Sequence, residues 1–538
     1  MLRIFEKLYI LIFFVCSSYC QSNNREFIFY DWGKQFGYVN ENGMIRWGQD
    51  WEANNLLFDG SWAIFPPMFG EEIENSFQIS PGIKVNADSI KTTSKINYHQ
   101  GDYGLDKFSL IIDYIEENRS IKLHGFKRSY FGNNNQYYAN TLQPQQQSYT
   151  LAIKSFEGNQ NTGLSIGHFN TFSGLPDSTI NGLFDNRITS LNYFYQKVFD
   201  NISIKISTDQ FLQRYLSNHN LSFYKKSRYL NRSAYEIEFS NLEERVPISS
   251  VSFKSNNRVT VLDSTVHIDW VTLHSDFRFK PFIIYNQLIK YGDEIFHDYD
   301  LVYNRHMTFF NIFLSRKISH ILLHPYYLHK QNSDHHNKFY KIIINKGVAE
   351  WMGVNSRIAL DISYTTDQQK LAMESLEKKN QYSSIMLTVS KKFNSTMNAS
   401  LNYNIMDTEN YYSGGIGNHI SLKIESKFQL FENFMKVELD TEIRHLFNRV
   451  NHSMINPVEM VPMIIFKNDY RQLKPVNLMN AALRAKVSTV LFEFQWINLS
   501  EIILSTLQAK KNNSILIHPS MPYLGRQIKF SINWEFQD

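Results

Sequence analysis

The sequence predicts an all-β protein, a single transmembrane antiparallel β-barrel with short turns at one end and long loops at the other. Three observations point there: the terminal strand, the N-terminal leader, and connections that alternate between short and long. In the terminal strand, Ile528, Phe530, Ile532, Trp534 and Phe536 fall on one face, and Gln527, Lys529, Ser531, Asn533 and Glu535 fall on the other. Successive side chains of a strand point to opposite sides, so this segment needs an apolar and a polar solvent at once. Lipid supplies the first and a watery lumen the second. The five apolar residues are therefore the expected membrane-facing assembly strand, and Lys529, Ser531, Asn533 and Glu535 the expected lumen-facing set.

The leader comes next. A basic start, Met1–Lys7, precedes the apolar run Leu8–Cys16 and the short segment Ser17–Cys20. That order predicts a secretory signal peptide over residues 1–20, cleaved before Gln21. An apolar run of about nine to ten residues is too short to span a bilayer. Lipidation is disfavoured, because bulky Tyr19 and Val15 precede Cys20 and Cys16. These are the chain's two cysteines, so the mature protein is expected to have no disulfide, thiolate metal site, cysteine nucleophile or iron–sulfur cluster.

Composition agrees. After residue 20 no run approaches 18 apolar residues, which excludes a helical membrane protein. The mean hydropathy of −0.35 suits a barrel, where half of each strand and every loop is polar. Aromatic content of 15% is high enough to supply interfacial girdles. A net charge of +4 gives no case for nucleic acid.

The hairpins read in order. Phe108, Leu110, Ile112 and Tyr114 alternate with polar residues, Ile111 excepted, and turn at Glu116–Asn118 into Ile121 and Leu123. After the polar stretch Ser129–Gln147, Tyr149, Leu151 and Ile153 turn at Gly158–Asn161 into Leu164, Ile166 and His168. Thr171–Arg187 precedes Leu191, Tyr193 and Tyr195, which turn at Phe199–Asn201 into Ile202, Ile204 and Ile206. Ile385, Leu387 and Val389 turn near Lys392–Asn394; Ile420, Leu422 and Ile424 turn near Phe431–Asn433 into Met435, Val437 and Leu439. Long connections at Asp407–Asn418 and Asn448–Pro457 separate these pairs. Short turns opposite long loops are the asymmetry of a barrel with periplasmic turns and extracellular loops. At roughly 28 residues per strand, turns and loops included, the chain predicts about 16–20 strands, with 18 favoured. Residues 258–350 are less regular, and Gln368–Lys379 reads as a short helix within a loop. The expected organisation is leader 1–20, an N-terminal periplasmic or lumen-associated segment 21–75, and the barrel 76–538.

Leu491–Leu499, Met521–Arg526 and the terminal strand together resemble the closing strands of porin and TonB-dependent-receptor-type barrels of Bacteroidota-like bacteria. The resemblance covers about a tenth of the chain and implies the barrel class. Two features depart from it. Receptors of this type carry a plug of well over a hundred residues, whereas alternation here begins near Ile90, which disfavours energised uptake. The family's assembly signal also ends on its aromatic, whereas Gln537 and Asp538 follow Phe536.

Five constellations invite chemistry. The segment Phe27–Pro67 holds Trp32, Trp47, Trp51 and Trp62, which suits either a sugar-stacking or pore-restricting element or aromatics packed on the barrel wall beside an early strand. Arg214, Lys225, Lys226, Arg228 and Arg232, interleaved with Tyr224 and Tyr229, suit a glycan- or anion-binding loop, or a solvated loop flanked by girdle tyrosines. His320, His324, His329, His335 and His336 read as a strand and its rim rather than a metal site, and the Gly-rich run at 413–417 lacks a phosphate loop's lysine. Gly163–Gly167 matches Gly-x-Ser-x-Gly, but Ser165 sits within a strand pattern rather than at a strand-to-helix turn.

No catalytic, cofactor-binding or metal-binding residues are therefore expected, and the protein is not expected to be an enzyme. The expected function is a porin-like channel for passive passage of small hydrophilic solutes. The alternative is a non-conducting barrel for surface polysaccharide attachment, export or adhesion. Expected partners are outer-membrane lipid and lipopolysaccharide, the barrel-assembly machinery, and a small solute or surface glycan. The expected location is the outer membrane of a Gram-negative bacterium, reached by Sec-type export.

Overall fold

A computed structural model describes residues 28–31, 36–39, 45–47, 91–129, 145–174, 182–219, 227–243, 246–261, 265–322, 339–370, 377–406, 417–432, 434–451, 453–455, 462–464, 471–500 and 526–537. Twenty-two strands close one antiparallel barrel in sequence order. The first seven are β1 (Lys91–Gly101), β2 (Leu105–Glu116), β3 (Arg119–Ser129), β4 (Gln145–Glu157), β5 (Gln160–Gly174), β6 (Gly182–Phe199) and β7 (Ile202–His219). Then come β8 (Ser227–Glu243), β9 (Val246–Val261), β10 (Thr265–Phe279), β11 (Phe282–Tyr291), β12 (Glu294–His306), β13 (Phe310–Leu322), β14 (Phe339–Met352) and β15 (Ser356–Lys370). The last are β16 (Glu377–Lys392), β17 (Met397–Met406), β18 (Asn418–Leu430), β19 (Met435–Phe447), β20 (Val476–Val487), β21 (Val490–Ile497) and β22 (Gln527–Gln537).

Two-residue periodicity decides which side chain sees which medium. Phe108, Leu123, Ile166, Leu191, Phe253, Leu273, Leu387, Leu422 and Phe492 stand exposed on the outer wall, while Ser109, His124, Ser165, Ser190, Ser252, Thr272, Asn404 and Ser421 are buried on the inner one. Closure pairs every strand on both sides, so the wall has no open edge in a medium that offers backbone groups no water. Phe253 lies mid-wall between Ile237 and Leu273 and is half exposed. Phe253→Arg is expected to lower unfolding stability by about 2–4 kcal/mol, measured in urea with the barrel in lipid vesicles.

The strand number corrects the expectation of 18. Loop-end connections are short at 102–104, 262–264 and 292–293, so an allowance of 28 residues per strand undercounts. The irregular middle runs from β9 to β13 through tight connections at both ends, 262–264, 280–281, 292–293 and 307–309, so the short–long rhythm lapses there. Inward apolar residues such as Trp270 and Ile289 also blur its alternation. The described ends of the helix read at 368–379 are strand instead: Gln368–Lys370 of β15 pair with Glu377–Lys379 of β16, and 371–376 lie outside the described residues. Ile111, the exception in its strand, faces inward opposite His124 and is buried. Phe194 is likewise inward and buried, lying opposite Gly163 and against Ala152.

Turn-end connections never exceed four residues, as at 431–434, while the loop end reaches 448–475 and 498–526. Within 448–475, Arg449–Asn451 pairs with Arg471–Leu473 and Ser453–Ile455 with Pro462–Ile464. Buried Arg449 ties that loop down by donating to the Lys474 carbonyl at 2.7 Å. The seam between β22 and β1 runs from Lys529–Gly101 to Gln537–Thr93. Gln537 is therefore a paired strand residue rather than an overhang. Asp102 Oδ2 accepts the Ile528 N–H at 2.9 Å beside this seam. A Cβ on Gly101 would lie 2.6 Å from the Ile528 carbonyl oxygen, so the close approach there demands glycine.

Candidate functional site

The inner wall from β17 to β22 carries a continuous polar network. Strand alternation brings Lys423, Glu425 and Lys427 of β18 onto the face opposite Leu422 and Ile424, and register sets them across from Glu442, Asp440 and Glu438 of β19. The same logic sets Arg484 of β20 between Glu438 on one side and Glu493 of β21 on the other. Arg484 Nη1 reaches Asp440 Oδ2 at 2.6 Å and Glu438 Oε1 at 3.3 Å, and its Nε reaches Glu493 Oε1 at 2.6 Å. One planar guanidinium thus serves three carboxylates, which an ammonium on a flexible stem could not do in the same geometry.

The network continues outward from that centre. Lys423 pairs with Glu425 and stands 3.8 Å from Asp440, and Lys427 lies 3.4 Å from Glu438. Asn398 of β17 donates to Glu425 at 3.4 Å, and the Ser531 hydroxyl of β22 donates to Glu493 at 3.4 Å. Beyond Ser531 the ion pair Lys95–Glu535, at 3.7 Å, crosses the seam to β1. Arg444 of β19 pairs with Glu442. Smaller pairs line other arcs: Lys205–Glu238 at 3.7 Å, Lys254–Asp209 at 3.9 Å and Lys346–Asp361 at 3.0 Å. Mixed charges held in such pairs make this stretch of the inner wall polar and close to charge-balanced.

None of the β18 to β21 charges stood out in the sequence. Their signal lay between the apolar positions, as charges two apart in Glu438, Asp440, Glu442 and Arg444. On β22, Ser531 is buried on the inside of the wall, whereas Phe530 and Trp534 are exposed outside. Lys529 and Asn533 occupy the same register parity as Ser531, opposite Gln495 and Leu491.

The basic–aromatic set does not come together as one loop. Arg214 and Tyr229 are strand partners on β7 and β8, both exposed, while Arg228 and Arg232 sit on the other register parity of β8, opposite Tyr215 and Phe211. Tyr224, Lys225 and Lys226 lie outside the described residues. Of the histidines, His320 is on β13 with its Nδ1 2.7 Å from Asp298, and the other four lie outside the described residues, as does most of the Gly-rich run at 413–417. Among the described residues no group of three or more His, Cys, Asp or Glu gathers as a metal site. Ser165 sits mid-strand on β5 between Ala152 and Asn192, with no histidine opposite it. In the Trp-rich segment, Ile28–Asp31, Phe36–Val39 and Ile45–Trp47 form a three-stranded antiparallel sheet, and Trp32, Trp51 and Trp62 lie outside the described residues.

A closed 22-stranded antiparallel barrel with an apolar outside and a charged inside defines the class: a large transmembrane β-barrel. Solved structures share that fold. The chain matches the copper transporter OprC with a TM-score of 0.59 at 8% identity, over 85% of this chain and 82% of that one. It matches the FrpB iron transporter from Neisseria meningitidis (TM-score 0.56, 8% identity, 83% of each chain). It also matches the siderophore receptor PirA from Pseudomonas aeruginosa (TM-score 0.54, 9% identity, 84% of this chain and 81% of that one). No family model matches the sequence, and no curated protein matches it.

Proposed function

We propose that the chain is an outer-membrane transport barrel of a Gram-negative bacterium, exported through a Sec-type leader over residues 1–20, which passes small hydrophilic solutes through its lumen. The observation that supports it most is the Arg484-centred charge network on the inner wall of a closed barrel whose outer wall is apolar. Such a wall favours polar and charged solutes over apolar ones, and lipid exposure accounts for the outer face. With 22 strands about 4.8 Å apart and tilted about 40°, the backbone cylinder is about 40 Å across, a width that other 22-stranded transporters fill with a plug. Selective passage therefore requires chain inside or across the mouth, and the loop-end connections together with residues 21–75 are the candidates.

The test is single-channel recording of the purified, heat-modifiable protein in planar bilayers. Discrete conductance steps with a preference between K⁺ and Cl⁻ are expected. A folded barrel that never conducts would replace this reading with the non-conducting one, a scaffold for surface polysaccharide attachment, export or adhesion.

A further inference from the structure

The connections at the turn end fall into two classes. Those at 117–118, 158–159, 200–201, 244–245, 280–281 and 488–489 are two residues long. They consist of Glu117-Asn118, Gly158-Asn159, Asp200-Asn201, Glu244-Arg245, Lys280-Pro281 and Ser488-Thr489, none with a large apolar side chain. The four on successive hairpins from β12 to β19 are longer and tipped with Phe309, Val354, Phe393, and Phe431 with Phe434. These tips are 55–95% exposed. Between the β14–β15 and β16–β17 turns lies a depression of about 490 Å³, lined among others by Val354, Arg357, Lys392, Asn394 and Lys427. Arg357 is paired with Glu350 and Lys427 with Glu438, while Lys392 has no carboxylate partner among the described residues. Lys391 stands over the Phe393 ring at 5.4 Å.

A bilayer surrounds a barrel on all sides, so a lipid role would place apolar tips all the way round. Tips confined to one arc call for an occupant of limited footprint. The chain carries one. β1 starts at Lys91 on the turn end, so the residues preceding it are tethered at this mouth. Residues 50–90 hold seven Asp and Glu against Lys84 alone, together with Trp51, Phe58, Trp62, Phe65, Phe69 and Phe77. Residues 91–538 hold 49 Lys and Arg against 40 Asp and Glu. From Lys91 back to Glu72 an extended chain reaches about 60 Å, more than the barrel's width.

We propose that the acidic, aromatic segment 50–90 docks on the turn-end arc from β12 to β19, its rings among the apolar tips and its carboxylates over Lys391 and Lys392. The docking holds whether or not the barrel conducts. A hydrophobic patch that carries Lys391 and Lys392, with Glu425 of its lining already paired to Lys423, receives an aromatic, acidic strip through burial and charge together.

Disulfide trapping tests it in a Cys16→Ser, Cys20→Ser background, which removes both cysteines of the sequence. Glu71→Cys, Glu72→Cys or Glu74→Cys is combined with Val354→Cys or Asn394→Cys, and separately with Asn159→Cys or Asn201→Cys on the polar turns. The full-length protein is oxidised in isolated outer membranes, and heat-modifiable mobility confirms that each variant is folded. Intramolecular bonds at 354 and 394 are expected at roughly tenfold the yield at 159 and 201, since a disulfide needs Cβ atoms within about 4.5 Å. Lys391→Glu with Lys392→Glu is expected to cut that yield several-fold in a barrel that stays folded. Equal yields at all four turns, no bond in any pair, or bonds only between two copies would each overturn the docking.

Discussion

Arg484→Met is expected to shift the proposed channel toward cations and to lower the barrel's stability by about 1–3 kcal/mol. The guanidinium is the shared partner of Glu438, Asp440 and Glu493. Its removal leaves Asp440 with Lys423 at 3.8 Å, Glu438 with Lys427 at 3.4 Å, and Glu493 with the Ser531 hydroxyl at 3.4 Å. Each carboxylate keeps one partner, and the Arg484 side chain is 31% exposed, so the destabilisation stays below the cost of stripping a fully buried pair. The larger effect is electrostatic, because one positive charge leaves a lumen strip that already carries three neighbouring carboxylates. The reversal potential in a KCl gradient should move toward the K⁺ equilibrium value. Glu493→Gln should move it the other way, and Arg484→Lys should leave it near wild type while still losing stability, because the charge is kept and the forked geometry is not. An unchanged reversal potential in both neutral variants would remove the β18 to β21 wall from the conduction path.

Deletion of residues 527–538 is expected to abolish the barrel altogether. β22 pairs with β21 from Val490–Trp534 to Ile497–Gln527, and with β1 from Lys529–Gly101 to Gln537–Thr93. Without it two edges stand open in a medium without water, each unpaired backbone group costing several kcal/mol. The wall cannot simply close over the gap. β21 and β1 are both antiparallel to β22, hence parallel to each other, and their polar groups would have to meet in a slanted parallel pattern. No heat-modifiable species should appear, and the chain should be found in aggregates or degraded. Removal of Asp538 alone should be silent, since it leaves every described pair from Lys529–Gly101 to Gln537–Thr93 in place. A folded, heat-modifiable product from the longer truncation would show that the seam is not formed by β22.

Much of this fold was legible in the residues. Turns at Glu117-Asn118 and Asp200-Asn201 separate strands whose apolar residues two apart face outward, as Phe108, Leu123, Leu191 and Ile206 do. The charge network was not legible, because a lysine or glutamate between two leucines reads the same whether its neighbour across the wall is a partner or a stranger. Register alone brings Arg484 between Glu438 and Glu493, residues 46 and 9 positions away along the chain.

The sequence by itself determined that this chain forms amphipathic antiparallel strands with an apolar and a polar side, because side-chain alternation is a local property readable two residues at a time. Only the tertiary structure decided that there are 22 strands, that β22 seals onto β1 through Gln537, and that Arg484 gathers three carboxylates. Strand number, closure and cross-strand partners depend on register and on residues far apart in the chain, and the alternation within one strand carries neither.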